Sequence, residues 1–235
     1  MFLLDQAGKQ LDSYVVQILS LVAINAILAV SLNLIYGFTG MFSLGHAGFM
    51  AIGAYVCTIF ILTPVQKEAM WILEDSHPWM AGLSLPFLQA VLLRGLVAAF
   101  FGLLIAMPVL RLGGDYLGIA TLGFAEIIRV LITNMTSLTN GSLGIKGIPS
   151  YSSLWWNYGF LVFTLYCFVP LLRSNVGNLL KAVRADEIAS RTMGVTTFFS
   201  SVLSFTLGAF LPGLGAASTG LALSTVPPQL FTFIL

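Results

Sequence analysis

The chain has 235 residues, of which 58% are hydrophobic and 8% charged, with a mean hydropathy of +0.96 and a formal net charge of +1. Soluble domains carry about 25% charged residues, so this chain cannot cover a water-facing surface and must turn its outside toward lipid. A near-neutral balance also leaves no electrostatic footprint for a nucleic-acid partner.

A bilayer core about 30 Å thick is spanned by about 20 apolar helical residues. The first such run is Tyr14 to about Tyr36, without an ionisable residue, and the second is His46 to Leu62, ended by Pro64. The third lies between Pro86 and Leu110, with Arg94 near its start and expected to snorkel to an interface. The fourth, Tyr116 to about Leu138, alone has ionisable residues well inside. The fifth is Trp156 to Leu172, with Trp155 and Trp156 as interfacial anchors, and the sixth is Thr197 to Leu223. The expectation is an all-α, polytopic transmembrane helix bundle of about six spans, forming one transmembrane domain over residues 1–235. The N-terminus lacks a basic stretch ahead of its apolar run, so no cleaved signal peptide is expected. After Pro227 and Pro228, the tail FTFIL reads as the opening of a further helix, so one or more C-terminal helices are expected to be missing.

Orientation follows the basic residues. Arg173, Lys181, Arg184 and Arg191 make the densest basic cluster and are placed in the cytoplasm. Alternation then puts the N-terminus, the 63–84 loop with Lys67, Glu68, Glu74 and Asp75, and the 138–155 loop outside.

Two segments depart from simple spans. In GFTGMFSLGHAGFMAIGAY, glycines 37, 40, 45, 48 and 53 crowd the junction of the first two helices. They fit either close helix packing through small residues or a broken element lining a passage; both can hold. The second segment, NVGNLLKAVRADEIASRTMGV, is polar and helix-prone. Asp186 is placed to cap a helix, Glu187 and Arg191 stand at i,i+4 in the favourable order, and Gly194 is placed to end it. It is either a solvated connector or a docking element.

The charges inside the fourth helix are Glu126 and Arg129, near mid-bilayer. A lone charge there costs at least about 2.5–3.5 kcal/mol, so the two should pair or face a wet cavity. They read as an ion pair fixing the helix's rotation, as part of the substrate passage, or as a contact to a partner subunit. Asn33, Ser43 and His46 are weaker passage candidates; Asn33 suits a bond to a neighbouring helix and His46 a bond to the backbone. Cys57 and Cys167 lie in apolar runs and read as small core residues. With two histidines, His46 and His77, and no acid cluster, no metal site is expected. No GxxxxGK[ST] motif occurs, and no cofactor is implied.

Four ordered blocks, SLNLIYGFTGMFSLGHAGFMAIGAY, LRLGGDYLGIATLGFAEIIRVL, GIKGIP and LLRSNVGNLLKAVRADEIASRTMGV, resemble the branched-chain amino acid permeases of bacterial ATP-binding-cassette importers. The block GDYLGIATLGFAEIIR is closer to the M-type than to the H-type member of the permease pair. The resemblance spans roughly residues 30 to 220. It implies a multi-pass protein of the bacterial inner membrane, a second (H-type) permease subunit, two ATP-binding subunits and an extracytoplasmic binding protein delivering leucine, isoleucine or valine. It also implies that residues 178–194, with Arg184, Asp186, Glu187, Ala189 and Gly194, form the cytoplasmic coupling segment where an ATPase docks. The importers' coupling motif runs Glu-Ala-Ala, three residues, Gly. Gly194 fits, but Ile188, Ala189 and Ser190 occupy the first three positions and the acid, Glu187, stands one earlier. A permease for urea or short amides shares these blocks. A stand-alone secondary transporter or channel would need an ion-coupling carboxylate, for which Glu126 is the candidate. An intramembrane enzyme lacks any nucleophile–base or metal constellation at helical spacing.

Overall fold

The computed structural model describes residues 12–71, 84–112, 116–146, 154–223 and 225–226. Helix α1, Ser13–Leu32, runs without a gap into a π-helical stretch, Asn33–Phe38. The chain is irregular until α2, His46–Ile61, and a short α3, Pro64–Met70, follows. Then come α4, Phe87–Val109, α5, Tyr116–Asn134, and one turn, α6, Thr136–Thr139. Helix α7, Leu154–Arg173, leads into the polar α8, Asn175–Ala185, and α9, Glu187–Thr192, before the 27-residue α10, Thr197–Leu223. Two-residue strands β1, Ile145–Lys146, and β2, Thr225–Val226, pair antiparallel.

Five of these helices are long and apolar enough to cross a bilayer; α2, at 16 residues, is shorter and apolar. Their ends sort onto two faces, as alternating crossings require. On one face the 39–42 segment, residues 110–112 and α8–α9 border a common cleft. On the other, Leu85 N–H donates to Phe60 O (2.8 Å), Trp71 Nε1–H to Ser137 O (3.0 Å) and Tyr55 Oη–H to Val226 O (2.9 Å). The basic residues make the first face the expected inner one and the other the expected outer one. The outer face carries the unforeseen α3, where Lys67 is buried, while Glu74, Asp75, His77 and the FTFIL tail lie outside the described residues.

Helix α10 is the hub, packed on α4, α2 and α1. Small residues make the approach possible. A Cβ on Gly53 of α2 would stand 2.7 Å from the Cα and O of Gly213 in α10. Pro212 lies inside α10 and has no N–H for the carbonyl four residues back. That carbonyl, Gly208 O, instead accepts a 2.6 Å bond from Ser31 Oγ of α1, which ties the two helices together. Apolar residues fill the rest, with Ile35, Phe49, Ala106 and Phe205 meeting in one cluster.

Candidate functional site

The glycine-rich junction is an irregular break held by hydroxyl groups. After the π stretch, Gly40 turns the chain at φ +73°, a region glycine enters without Cβ strain. Thr39 Oγ1 donates to Leu34 O (3.1 Å) and shares a 2.6 Å bond with Ser204 Oγ of α10. On the other side, Leu44 N–H donates to Thr121 Oγ1 of α5 (2.9 Å). Backbone groups that leave the helical ladder thus find partners on α5 and α10. Ser43 is buried beside the break, and its Oγ accepts a long 3.5 Å bond from Gly45 N–H. His46 opens α2 with its imidazole near the Ser31 backbone, and neither ring nitrogen reaches a hydrogen-bond partner among the described residues. Asn33 is exposed; its side chain folds over Gly37, whose missing Cβ makes the room.

Beneath the break, α8 and α9 form the expected helix pair. Asp186 caps α9, its Oδ1 accepting from Ile188 N–H (2.8 Å) and Ala189 N–H (3.0 Å). The helix closes at Gly194 with φ +86°, where Gly194 N–H reaches Arg191 O and Val195 N–H reaches Ser190 O, each at 3.0 Å. That pair of bonds is a Schellman ending. Glu187 and Arg191 pair at 2.7 Å, and Arg191 Nε–H donates to Thr197 Oγ1 (2.9 Å). Arg184 points back into the protein: its Nη1 donates to Gly37 O, and its Cγ packs where Gly40 has no side chain. The helix pair therefore grips the break directly. Among the side chains that project away are two large apolar ones, Ile188 and Met193, 77% and 84% exposed. Sequence alone assigns neither a docking role; the available signal is two large hydrophobics in a mostly polar run.

Between the break, the end of α4 and this helix pair lies a cleft of about 350 Å³. Arg111, Arg184, Arg191 and Glu187 give it charge, and Thr39 and Ser201 give it hydroxyls.

Glu126 and Arg129 form a two-pronged ion pair on α5, with Arg129 Nε–H 3.0 and 2.9 Å from the two carboxylate oxygens. Their side chains are 54% and 28% exposed, so the pair lies on the outside of this chain's bundle. Glu126 follows Tyr116 by about 15 Å of helix, close to mid-span. The same surface bears Gly123, with no atom within 4 Å of where a Cβ would stand.

Arg94 does not snorkel. It is fully buried about 10 Å into α4. Its Nη2 donates to Leu214 O, its Nη1 lies 3.5 Å from Cys57 Sγ, and its Cζ stands 5.9 Å from the Phe160 ring centroid. Small residues at Gly95 and Gly213 let α4 and α10 close around it. No carboxylate pairs with it among the described residues. Cys167 is exposed on α7, in contrast to its expected core position, whereas Cys57 is buried. No cluster of metal-ligating side chains occurs among the described residues.

Five helices long and apolar enough to cross a bilayer make this a multi-pass membrane protein. Sequence comparison narrows the class. The chain belongs to the family described as branched-chain amino acid transport system / permease component, whose model matches residues 14–235. It is 31% identical, over 252 aligned positions covering 93% of the chain, to the high-affinity branched-chain amino acid transport system permease proteins LivM of Salmonella typhimurium and Escherichia coli. It is 26% identical over 194 positions, 72% of the chain, to a probable branched-chain amino acid transport permease protein LivM of Methanocaldococcus jannaschii. The chain spans about 55% of the length of these curated relatives. No solved structure matches it.

Proposed function

We propose that this chain is a permease subunit of an ATP-binding-cassette importer of the bacterial inner membrane that takes up leucine, isoleucine and valine. In this reading it works with a second permease, ATP-binding subunits and an external binding protein. The observation that carries the reading is the capped helix pair whose Arg184 is bonded into the break between α1 and α2. A short helix closed at both ends moves as a unit. Displacing it pulls on Gly37 and Gly40, and through Thr39 and Leu44 on α10 and α5. The exposed Ile188 and Met193 supply an apolar grip for an ATPase subunit, with Asp186, Glu187, Ala189 and Gly194 giving the handle its shape.

The Glu126–Arg129 pair marks the α5 surface as the one turned toward the partner permease and the passage. Two charges at mid-bilayer are costly against lipid and belong against protein or water. Both groups are already engaged with each other, which favours this role over a free ion-coupling carboxylate in a stand-alone transporter. Asn33, Ser43 and His46, around the break, complete the proposed path.

The test is uptake by the reconstituted complex, with leucine, isoleucine, valine and urea as competitors. ATP-dependent uptake displaced by the three amino acids but not by urea is expected. Ile188→Asp and Ala189→Pro should abolish ATPase co-purification, whereas Glu126→Gln should lower uptake with the ATPase still bound. Uptake that follows an ion gradient without ATP overturns the proposal.

A further inference from the structure

We propose that the cleft on the inner face is a binding site for the headgroup of an anionic phospholipid. It goes beyond the transport reading and does not depend on which solute is carried. Its first support is position. Leu110 and Arg111 directly follow the last turn of α4, and Leu117 lies in the first turn of α5, so the cleft stands where two spanning helices meet the inner bilayer surface. That is the depth of the phosphates.

Its second support is charge. Glu187 is engaged by Arg191 at 2.7 Å and by Thr197 at 3.4 Å, which leaves Arg111 and Arg184 without an acidic partner among the described residues. Arg184 spends one nitrogen on Gly37 O and keeps other N–H groups free toward the cleft. Arg111 makes no side-chain hydrogen bond or ion pair among the described residues. Two guanidinium groups offering planar sets of donors suit phosphate oxygens. Basic pockets between spanning helices on the cytoplasmic side are where acidic headgroups bind.

Its third support is the lip. Phe42 and Leu112 border the same cleft at 40% and 46% exposure. A soluble anion gains nothing from that apolar rim, whereas the first carbons of an acyl chain would cover it. The occupant is therefore a phosphodiester attached to a lipid. Bound there, it would bridge the loop after α4 to α8, beside the break that Arg184 grips.

The experiment is native mass spectrometry of the full chain, delipidated and titrated with phosphatidylglycerol or phosphatidylcholine, with and without inorganic phosphate. One tightly held phosphatidylglycerol is expected. Arg111→Gln should weaken it about fivefold to tenfold, Arg111→Lys less, and Arg173→Gln, at the end of α7 outside the cleft, not at all. Leu112→Glu, which sets a negative charge on the lip beside Arg111 while keeping both arginines, should weaken it as much as Arg111→Gln and covers the case in which that variant fails to fold. Equal binding of phosphatidylcholine, an equal loss in Arg173→Gln, or full displacement by inorganic phosphate would each overturn the proposal.

Discussion

The crossing of α2 and α10 can be tested with a single methyl group. In Gly53→Ala the added Cβ would stand 2.7 Å from two backbone atoms of Gly213, about 0.7 Å inside the 3.4 Å at which ordinary contact begins. A flexible side chain could swing away, but backbone cannot, so the helices must separate along their shared length. Overpacking of this kind costs about 1–3 kcal/mol, and contact with backbone atoms that cannot swing aside places it at the upper end. Alanine returns about 1 kcal/mol of helix propensity. The net loss is about 2 kcal/mol, or about 4–8 °C in melting temperature for a domain of this size. Gly159→Ala is the matched control, because that exposed glycine of α7 has nothing within 4 Å of its missing Cβ. Thermal melting of the two variants in one detergent is the assay. Gly53→Ala should melt several degrees below the parent and Gly159→Ala at or slightly above it. If both variants melt together, the close crossing is not what limits the bundle's stability.

Two further outcomes follow from the hydrogen bonds. Ser31→Ala leaves Gly208 O, already deprived of its helical donor by Pro212, unsatisfied in the core, at about 1–3 kcal/mol. Pro212→Ala restores an N–H to that carbonyl, so in its background Ser31→Ala should cost less than half as much; additive melting shifts in the four-member cycle would refute the link. Asp186→Ala removes the cap of α9, worth about 1 kcal/mol, and should speed amide exchange at Ile188 and Ala189 about fivefold while the bundle's melting point stays put. Asp186→Asn, which keeps the accepting oxygen, should exchange nearly as the parent does.

The spans were legible because hydropathy is a local property: each run of about 20 apolar residues announces itself without knowledge of its neighbours. The cap at Asp186, the Glu187–Arg191 pair and the ending at Gly194 were legible for the same reason, since each involves residues within one or two turns. Arg94 was misread because its fate depends on residues far along the chain. Gly213 and Leu214 of α10 make the space and supply the acceptor, 120 positions away from Arg94 in the case of Leu214. The π stretch at Asn33–Phe38 has no periodicity that separates it from α1, and α3 falls in a polar loop too short to show a helical face. The grip of Arg184 on Gly37 joins residues 147 positions apart. Each residue was noticed separately, and only the fold shows that they act on one another.

The pairing of β1 with β2 has a consequence for biosynthesis. Ile145 lies opposite Val226, and Tyr55 of α2 donates to the carbonyl of that same Val226. Neither contact can form until the ribosome has released α10 and the residues after it, long after α2 and α5 have entered the bilayer. This side of the bundle therefore closes only after α10 has been made. Until then Tyr55 and Ile145 wait without Val226, so a quality-control protease reaching the membrane from that side would meet an open end on every chain whose α10 had failed to insert.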